Sequence, residues 1–250
     1  MPLLPGFELT NRTVLVTGAS SGIGAELCRQ AAVAGATVIG TGRHAERLAR
    51  TIASLAGPGH RGVVADLTVE HQADALLAEL PPLDGLVHCA GVQRFLPLKM
   101  LSRKAMAEIM QPILEAPLLL TRGVLARRLL RPGASVVFLS SLAASCAVPG
   151  NGIYSASKAA LIAVARVLAL ELFSQRIRVN CVCPGMVRTP MAESMAAAIS
   201  KEEMVRHERE YPLGFGEALD VAHAVVFLLS DASRWMTGHS LVLDGGYSLR

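Results

Sequence analysis

Seven short runs of apolar, mostly β-branched residues recur along this chain, and a helical pattern follows each of the first six. None of the runs alternates polar with apolar residues, so each predicted strand should be buried on both faces. Strands of that kind form a parallel sheet that helices cover on both sides. The sequence therefore predicts a doubly wound α/β fold with a seven-stranded, mostly parallel sheet. The predicted strands are 13–18, 36–42, 62–67, 85–91, 135–141, 177–185 and 240–246.

The spacing of these strands predicts the domain organisation. They are spread evenly over the 250 residues, which leaves no linker and predicts one domain, 1–250. Between the sixth and seventh strands, two helical patterns stand in place of one. A ligand of an open parallel sheet binds at the carboxyl ends of the strands, so we predict that 190–215 covers that crevice as a lid. Met191, Met195 and Met204 are candidates for its apolar underside, although ordinary helix packing explains them equally well.

Charge and hydropathy exclude several classes of protein. The 24 Lys and Arg residues against 20 Asp and Glu give a formal net charge of only +4, and the basic cluster 127–131 is expected to be a solvated helix end. We therefore expect no nucleic-acid partner. The most apolar helical stretch, 159–170, is interrupted by Arg166 and is too short to cross a bilayer, so we expect no membrane partner either.

The cysteines and the first residues of the chain predict its location. The five cysteines are scattered and odd in number, and we expect Cys181 and Cys183 to point to opposite faces of one strand, so no metal site is predicted. Residues 1–12 lack the basic segment followed by an apolar segment that is typical of a signal peptide. These patterns predict a reduced, cytoplasmic protein.

The first predicted strand runs directly into the sequence TGASSGIG, which contains Gly18, Gly22 and Gly24. Glycines there let the backbone turn sharply and approach a pyrophosphate, whose charge the N-terminal amides of the next helix then meet. The motif follows a predicted strand and opens a predicted helix, as this mechanism requires. We therefore predict a dinucleotide site.

The end of the second strand bears on which dinucleotide binds. An acidic residue there would accept a hydrogen bond from a ribose 2′-hydroxyl and repel a 2′-phosphate. This strand ends instead with Thr41, Gly42 and Arg43, and a guanidinium is suited to phosphate. Ser20, in the glycine loop, is a candidate for an additional hydroxyl contact. We predict NADP(H) in preference to NAD(H), while the alternative that Arg43 merely opens an exposed helix stays open.

A phenol and an ammonium group lie one helical turn apart in the sequence YSASK. Tyr154 and Lys158 share a helix face, and only small residues separate them. An unassisted phenol has a pKa of about 10, which is too high for efficient proton exchange near neutrality. A positive charge one turn away favours the phenolate form of Tyr154.

With TGASSGIG, YSASK and VNCVCPGMVRT in the expected order, the chain from Thr13 to Tyr247 resembles the short-chain dehydrogenase/reductase family. The ending LDGGYSL looks most like the 3-oxoacyl-reductase-like branch. The resemblance implies a single-domain Rossmann fold. Arg131 and Arg176 are each displaced by one position from the basic residues with which that branch docks acyl carriers, so an acyl-carrier substrate is not predicted.

The resemblance also implies the roles of individual residues. Tyr154 would be the general acid/base, Lys158 would bind the nicotinamide ribose, and Ser141 would orient the carbonyl of the substrate. Strand alternation points the neighbouring Ser140 the other way. The residues implied to bind the cofactor are Gly18, Ser20, Ser21, Gly22, Ile23, Gly24, Arg43, Asp66, Leu67, Ala90, Gly91, Tyr154, Lys158, Pro184, Gly185, Val187 and Thr189.

Two features depart from the family pattern. His88 and Cys89 stand where the family usually has two asparagines. Ile113 stands where the family has an Asn that helps to hold a water of the proton relay. Because Pro112 cannot donate to the carbonyl of Glu108, that freed carbonyl is a candidate for holding the water instead, and Gln111 is another.

The resulting prediction is an NADPH-dependent ketone reductase, or a secondary-alcohol dehydrogenase in the reverse direction, that acts on a small molecule. The alternative is a catalytically impaired, NADP-binding regulatory or assembly subunit, because Ile113 replaces the Asn. We also predict a homotetramer, or a homodimer. Helices 111–130 and 152–172 are apolar around most of their circumference, and family members pair through the equivalent helices.

Overall fold

The computed structural model describes residues 5–196 and 200–249, and within them the chain alternates strands with helices. The strands are β1 Thr13–Thr17, β2 Thr37–Gly42, β3 Arg61–Val64, β4 Leu83–His88, β5 Leu130–Leu139, β6 Arg178–Pro184, β7 Val187–Arg188, β8 Gly216–Glu217 and β9 Ser240–Leu243. The helices are α1 Gly22–Val33, α2 Ala45–Ala53, α3 Glu70–Glu79, α4 Arg103–Met110, α5 Ala116–Ala126, α6 Gly152–Glu171, α7 Pro190–Ala196, α8 Lys201–Glu208 and α9 Ala218–Leu229.

Seven of these strands form one sheet in the order β3-β2-β1-β4-β5-β6-β9, and every pairing in it is parallel. The two short strands β7 and β8 pair separately. One hydrophobic cluster joins the sheet to α1 and α9, and another joins its opposite face to α3, α5 and α6. The predicted doubly wound fold is confirmed. The strand order reverses between β1 and β4, which places the ligand crevice at the carboxyl ends of those strands.

The predicted burial of every strand on both faces is wrong at the edge of the sheet. In β3, half-buried residues alternate with Gly62 and Val64, which are exposed. The central strands β1, β4 and β6 are buried almost throughout. The difference arises because β3 lies at the edge of the sheet and has a strand on one side only.

The predicted helix 111–130 is wrong in its bounds. A π-helical segment, Gln111–Glu115, separates α4 from α5, and α5 ends at Ala126. Arg128 has a φ of 53°, which turns the chain into β5. The basic cluster 127–131 therefore spans a turn and the start of a strand. Its end residues are paired with acids, since Arg127 lies 3.7 Å from Asp74 and Arg131 lies 2.7 Å from Asp84.

The expectation that Cys181 and Cys183 face opposite sides of β6 is also wrong, because residues two apart on a strand share a face. Both thiols lie in the cluster beneath α6, and Cys181 Sγ is 3.7 Å from the carbonyl of Leu161. Burial is the main cause that raises the pKa of each thiol.

By length and composition, two helical runs are apolar enough to cross a membrane, 103–126 and 152–171. In the fold both runs pack on the same face of the sheet, and each contributes buried residues to its core.

Candidate active site

A cleft of about 420 Å³ opens at the carboxyl ends of the central strands. Every residue that the sequence assigned to catalysis or cofactor binding lines it. These residues are Gly18, Ser20, Ser21, Gly22, Ile23, Gly24, Arg43, Asp66, Leu67, Ala90, Gly91, Ser141, Tyr154, Lys158, Pro184, Gly185, Val187 and Thr189. The cleft has two ends, a dinucleotide end beside the glycine loop and a substrate end beside Tyr154.

The glycine loop forms a cradle that side chains would fill. A Cβ on Gly24 would lie 2.3 Å from the carbonyl oxygen of Gly18, and a Cβ on Gly18 would lie 2.8 Å from the Cα of Ala90. Gly18 and Gly22 also have positive φ values of 72° and 54°. The residue that caps α1, Ser21, makes no side-chain cap hydrogen bond, so the N-terminal amides of α1 face the cleft without that partner. This arrangement fits a pyrophosphate.

Arg43 and Asp66 lie together beyond the glycine loop. Arg43 Nη1 is 3.7 Å from Asp66 Oδ2, and about half of the Arg43 side chain is exposed. Burial by itself would raise the pKa of Asp66, but hydrogen bonds from Thr68 and the charge of Arg43 hold it below its usual value. A Cβ on Gly42 would lie 3.1 Å from Ser20 Oγ, which places that hydroxyl beside the end of β2.

Two residues at this end are absent from the sequence-based set. Arg47 lines the cleft. Its position four residues after Arg43, which places a second guanidinium one helical turn along, could have identified it from the sequence. The hydroxyl of Thr41 is buried without a hydrogen-bond partner and also lines the cleft. No sequence pattern identifies it, because an unpaired hydroxyl depends on the packing around it.

At the substrate end, α6 positions Tyr154 and Lys158 side by side. Lys158 Nζ lies 5.7 Å from the centre of the Tyr154 ring and donates a 2.6 Å hydrogen bond to the carbonyl of Leu139. Lys158 is only 6% exposed. The structure therefore places the phenol and the ammonium group together in the cleft, as the sequence predicts.

The two serines at the end of β5 have different partners. Ser140 Oγ donates to the carbonyl of Lys158 at 2.8 Å and is buried. Ser141 Oγ accepts a hydrogen bond from the amide of Ala143 at 3.1 Å, and this leaves its own proton available to donate into the cleft.

The π-helical segment carries the largest departure from the family pattern. Ile113, which is 1% exposed, packs into the core. The amide of Ala116 donates to the carbonyl of Gln111 instead of that of Pro112, and Pro117 has no N–H. The carbonyl of Pro112 therefore lacks both its α-helical and its π-helical donor. Pro112 and Ala116 line the cleft, so this carbonyl lies on the helix face beside it.

His88 is a fully buried, neutral ring. Its Nε2 lies 2.8 Å from Thr121 Oγ1, whose proton goes to the carbonyl of Pro117 at 2.8 Å. His88 must therefore carry its proton on Nε2, and its Nδ1 is a bare acceptor without a partner. The ring stacks on Phe138 with centroids 4.7 Å apart, and burial lowers its pKa to about 3.

Asn151 is a polar residue at this end that the sequence did not identify. It is 3% exposed, lines the cleft and leaves its Oδ1 without a hydrogen-bond partner. In the described part of the chain, the buried side-chain atoms without a partner are Thr41 Oγ1, His88 Nδ1 and Asn151 Oδ1. All three residues line the cleft, which is where a ligand would supply the missing partners.

The predicted lid segment borders the substrate end. Met191 lines the cleft, Met204 is half-buried without lining it, and the side chain of Met195 lies outside what the structure describes. Arg188 forms ion pairs with Glu208 and with Glu217, the latter at 3.3 Å, which connect α8 to β7 and β8.

Aromatic rings connect the same segment to the C-terminal residues. The rings of His207 and Tyr211 lie 5.5 Å apart, and those of Tyr211 and Tyr247 lie 4.6 Å apart. Tyr211 accepts a hydrogen bond from the amide of Met186 at 3.3 Å, and burial raises its pKa to about 12. Across residues 5–196 and 200–249, no group of three or more His, Cys, Asp and Glu side chains is placed to hold a metal ion.

Comparison with known proteins places the chain among reductases and dehydrogenases. A family model described as enoyl-(acyl carrier protein) reductase matches residues 18–248. The chain is 34% identical to D-threitol dehydrogenase of Mycolicibacterium smegmatis, over 98% of this chain and 95% of that protein. It is 34% identical to L-xylulose reductase of Caenorhabditis elegans, over 97% of this chain and 98% of that protein.

A solved structure agrees with these matches. The protein from Beutenbergia cavernae described as an NAD(P)-dependent gluconate 5-dehydrogenase, solved with NADP bound at low occupancy, superimposes with a TM-score of 0.89. It is 30% identical to this chain, with coverage of 98% of this chain and 100% of that one.

Proposed function

Because this chain belongs to the short-chain dehydrogenase/reductase family, we propose that it reduces a ketone with NADPH, or oxidises the matching secondary alcohol in the reverse direction. It is an NAD(P)-dependent oxidoreductase that acts on alcohol or ketone substrates. The finer proposal rests on one observation above all. A buried Lys158 lies beside Tyr154 in the same cleft as a glycine cradle.

The residues present fit a dinucleotide. The cradle of Gly18 and Gly24 leaves room that a Cβ would fill, and the unpaired hydroxyl of Thr41 offers a hydrogen bond farther along the cleft. When bound, the dinucleotide supplies the hydride. Pro184, Gly185, Val187 and Thr189 line the cleft and would hold the nicotinamide end, as the family pattern implies.

The chain's own residues would then move the proton. Ser141 donates a hydrogen bond to the substrate oxygen as negative charge develops there. Tyr154 donates the proton to that oxygen, and the ammonium of Lys158 stabilises the phenolate that remains. Lys158, which lines the cleft, would also bind the nicotinamide ribose, as the family pattern implies. The carbonyl of Pro112, together with that of Glu108, would hold the water that reprotonates Tyr154 in place of the Asn that Ile113 replaces.

Two guanidinium groups and a hydroxyl favour NADP(H) over NAD(H). Arg43 and Arg47 line the cleft, and Ser20 lies beside Gly42, the residue before Arg43. Asp66, the nearest acid, already accepts from Thr68 and pairs with Arg43, so it is not free to bind a 2′-hydroxyl. A relative solved with NADP supports this preference.

The substrate is proposed to be a small polar carbonyl compound. Two of the relatives are named for hydroxylated compounds, a tetritol and a ketose. The segment 190–215 would close over such a substrate as a lid, because Met191, His207 and Tyr211 line that part of the cleft.

We further propose a cytoplasmic homotetramer, or a homodimer, that pairs through α5 and α6. Large apolar side chains on this face remain exposed: Leu119, Val167, Leu170 and, just after α6, Phe173 are 57%, 54%, 75% and 72% exposed. Burial of such a patch is a usual reason for association. All five cysteines lie in the described residues as free thiols, which is typical of a reducing compartment.

The proposed function is tested by NADPH and NADH oxidation with a panel of ketones. Turnover with at least one ketone, faster with NADPH, is the expected result. Tight NADPH binding without turnover on any ketone would contradict the proposal and support an impaired cofactor-binding subunit.

A further inference from the structure

Asn151 occupies a capping position without acting as a side-chain cap. It precedes α6, where an Asn side chain ordinarily accepts a hydrogen bond from the first turn of the helix. Here it makes no such bond. The backbone of Asn151 is satisfied, because its N–H donates to Val148 at 3.1 Å and its carbonyl accepts from Ser155 at 2.8 Å. The side chain differs, because its Oδ1 is buried without a hydrogen-bond partner.

The protein around this oxygen offers it no donor. Val148 and Phe95, which also line the cleft, are apolar. A buried polar atom without a partner is costly, so natural proteins rarely keep one that no ligand satisfies. Asn151 directly precedes α6 and lies three residues before Tyr154, and both residues line the cleft.

We propose that Asn151 binds a hydroxyl on the carbon next to the reacting carbonyl, and that the substrate is an α-hydroxyketone, or a vicinal diol in the reverse direction. This inference rests on the proposed function in placing the reacting carbonyl at Tyr154. A hydroxyl both donates and accepts, so it satisfies the Asn151 amide whichever of its two polar atoms faces the cleft. A ketone without that hydroxyl leaves the amide unpaired and is disfavoured.

The test compares two ketones that differ by one hydroxyl, 3-hydroxybutan-2-one and butan-2-one. The wild-type protein should reduce the first with a kcat/KM at least about 10-fold higher. Asn151→Leu, which is similar in size but apolar, should lower kcat/KM for the hydroxyketone by about 10- to 100-fold. It should raise kcat/KM for butan-2-one, because that ketone then leaves no buried amide unpaired, so the preference for the hydroxyketone is lost.

Gly152→Ala is the matched control, because a Cβ at this neighbouring position meets no atom within 4 Å. It should leave the ratio between the two ketones unchanged. An equal loss on both ketones in Asn151→Leu would show that Asn151 is structural and would overturn the proposal. So would a wild-type protein that does not distinguish the two ketones.

A binding measurement separates this inference from the proposed function. Calorimetry on Tyr154→Phe with saturating NADP⁺ should give at least about 10-fold tighter binding of butane-2,3-diol than of butan-2-ol, and Asn151→Leu in the same background should abolish the difference. This result needs no turnover. If the protein binds the diol more tightly but reduces no ketone, the hydroxyl site is supported and the reductase function is refuted. If it binds the two alcohols equally, the hydroxyl site alone is refuted.

Discussion

The backbone forms one end of the cleft, and side chains form the other. At the dinucleotide end the backbone makes the site, because a Cβ on Gly18 or Gly24 would collide with other backbone atoms. At the substrate end side chains make it, and two of them, His88 and Asn151, keep buried polar atoms unpaired. A backbone cradle tolerates almost no substitution. A site formed by side chains can change by substitution. Its side chains therefore determine which substrate binds.

The backbone end gives the largest expected effect. Gly24→Ala places a methyl group 2.3 Å from the carbonyl oxygen of Gly18, so the loop must move and NADPH binding should be lost. Fluorescence titration with NADPH measures this, and Gly152→Ala, which adds its methyl in open space, is the control. Wild-type affinity in Gly24→Ala would mean that the loop does not hold the pyrophosphate.

This contrast also decides what the sequence could predict. The strands and the glycine loop were predictable, because buried parallel strands and tight turns require particular residue types at fixed spacing. The alternation of a strand likewise distinguished Ser141 from Ser140. The bounds of the helix after β4 were not predictable, because the π-helical segment Gln111–Glu115 depends on local hydrogen-bond register. The sequence also could not predict that the side-chain oxygen of Asn151 lacks a hydrogen-bond partner, because this depends on tertiary packing and not on a local sequence pattern.

Within the dinucleotide end, Arg43→Asp should have the next largest effect, on the choice of dinucleotide. It removes a guanidinium and adds a second carboxylate beside Asp66, so a 2′-phosphate is repelled and a 2′-hydroxyl gains an acceptor. The ratio of kcat/KM for NADPH to that for NADH should fall by about two orders of magnitude and favour NADH. Arg47→Ala should shift the ratio in the same direction but less. A wild-type preference for NADH would contradict the role of Arg43.

Ile113→Asn should have a small effect on rate. If the backbone carbonyls of Pro112 and Glu108 hold the relay water, the maximal rate of ketone reduction should change by less than about threefold between pH 6 and pH 9. Ile113→Val controls for packing in this buried position. A several-fold rise in rate at high pH, with unchanged cofactor affinity, would show that the relay is broken in the natural chain.

His88→Asn should have the smallest effect on activity and a measurable one on stability. Burial lowers the pKa of His88 from 6.5 to about 3, so below pH 6.5 the unfolded chain binds a proton that the folded chain does not. The free energy of unfolding should therefore fall by up to about 1.4 kcal/mol per pH unit from pH 6.5 downwards, a contribution that His88→Asn removes.

Urea denaturation at several pH values measures that difference between variant and wild type. His71→Asn, a change at an exposed position, controls for loss of a histidine. An identical pH dependence of unfolding in wild type and His88→Asn would show that His88 is not buried as a neutral ring.

The central claim is that Tyr154 transfers a proton in catalysis and is not needed for binding of the dinucleotide. Tyr154→Phe tests this claim most directly. NADPH affinity and turnover are measured on the same sample. Affinity should stay within about threefold of wild type, because the glycine loop and not the phenol would hold the phosphates, while kcat should fall by about 10²–10⁴. Retention of more than about a tenth of the wild-type turnover would contradict the assignment of Tyr154 as the general acid.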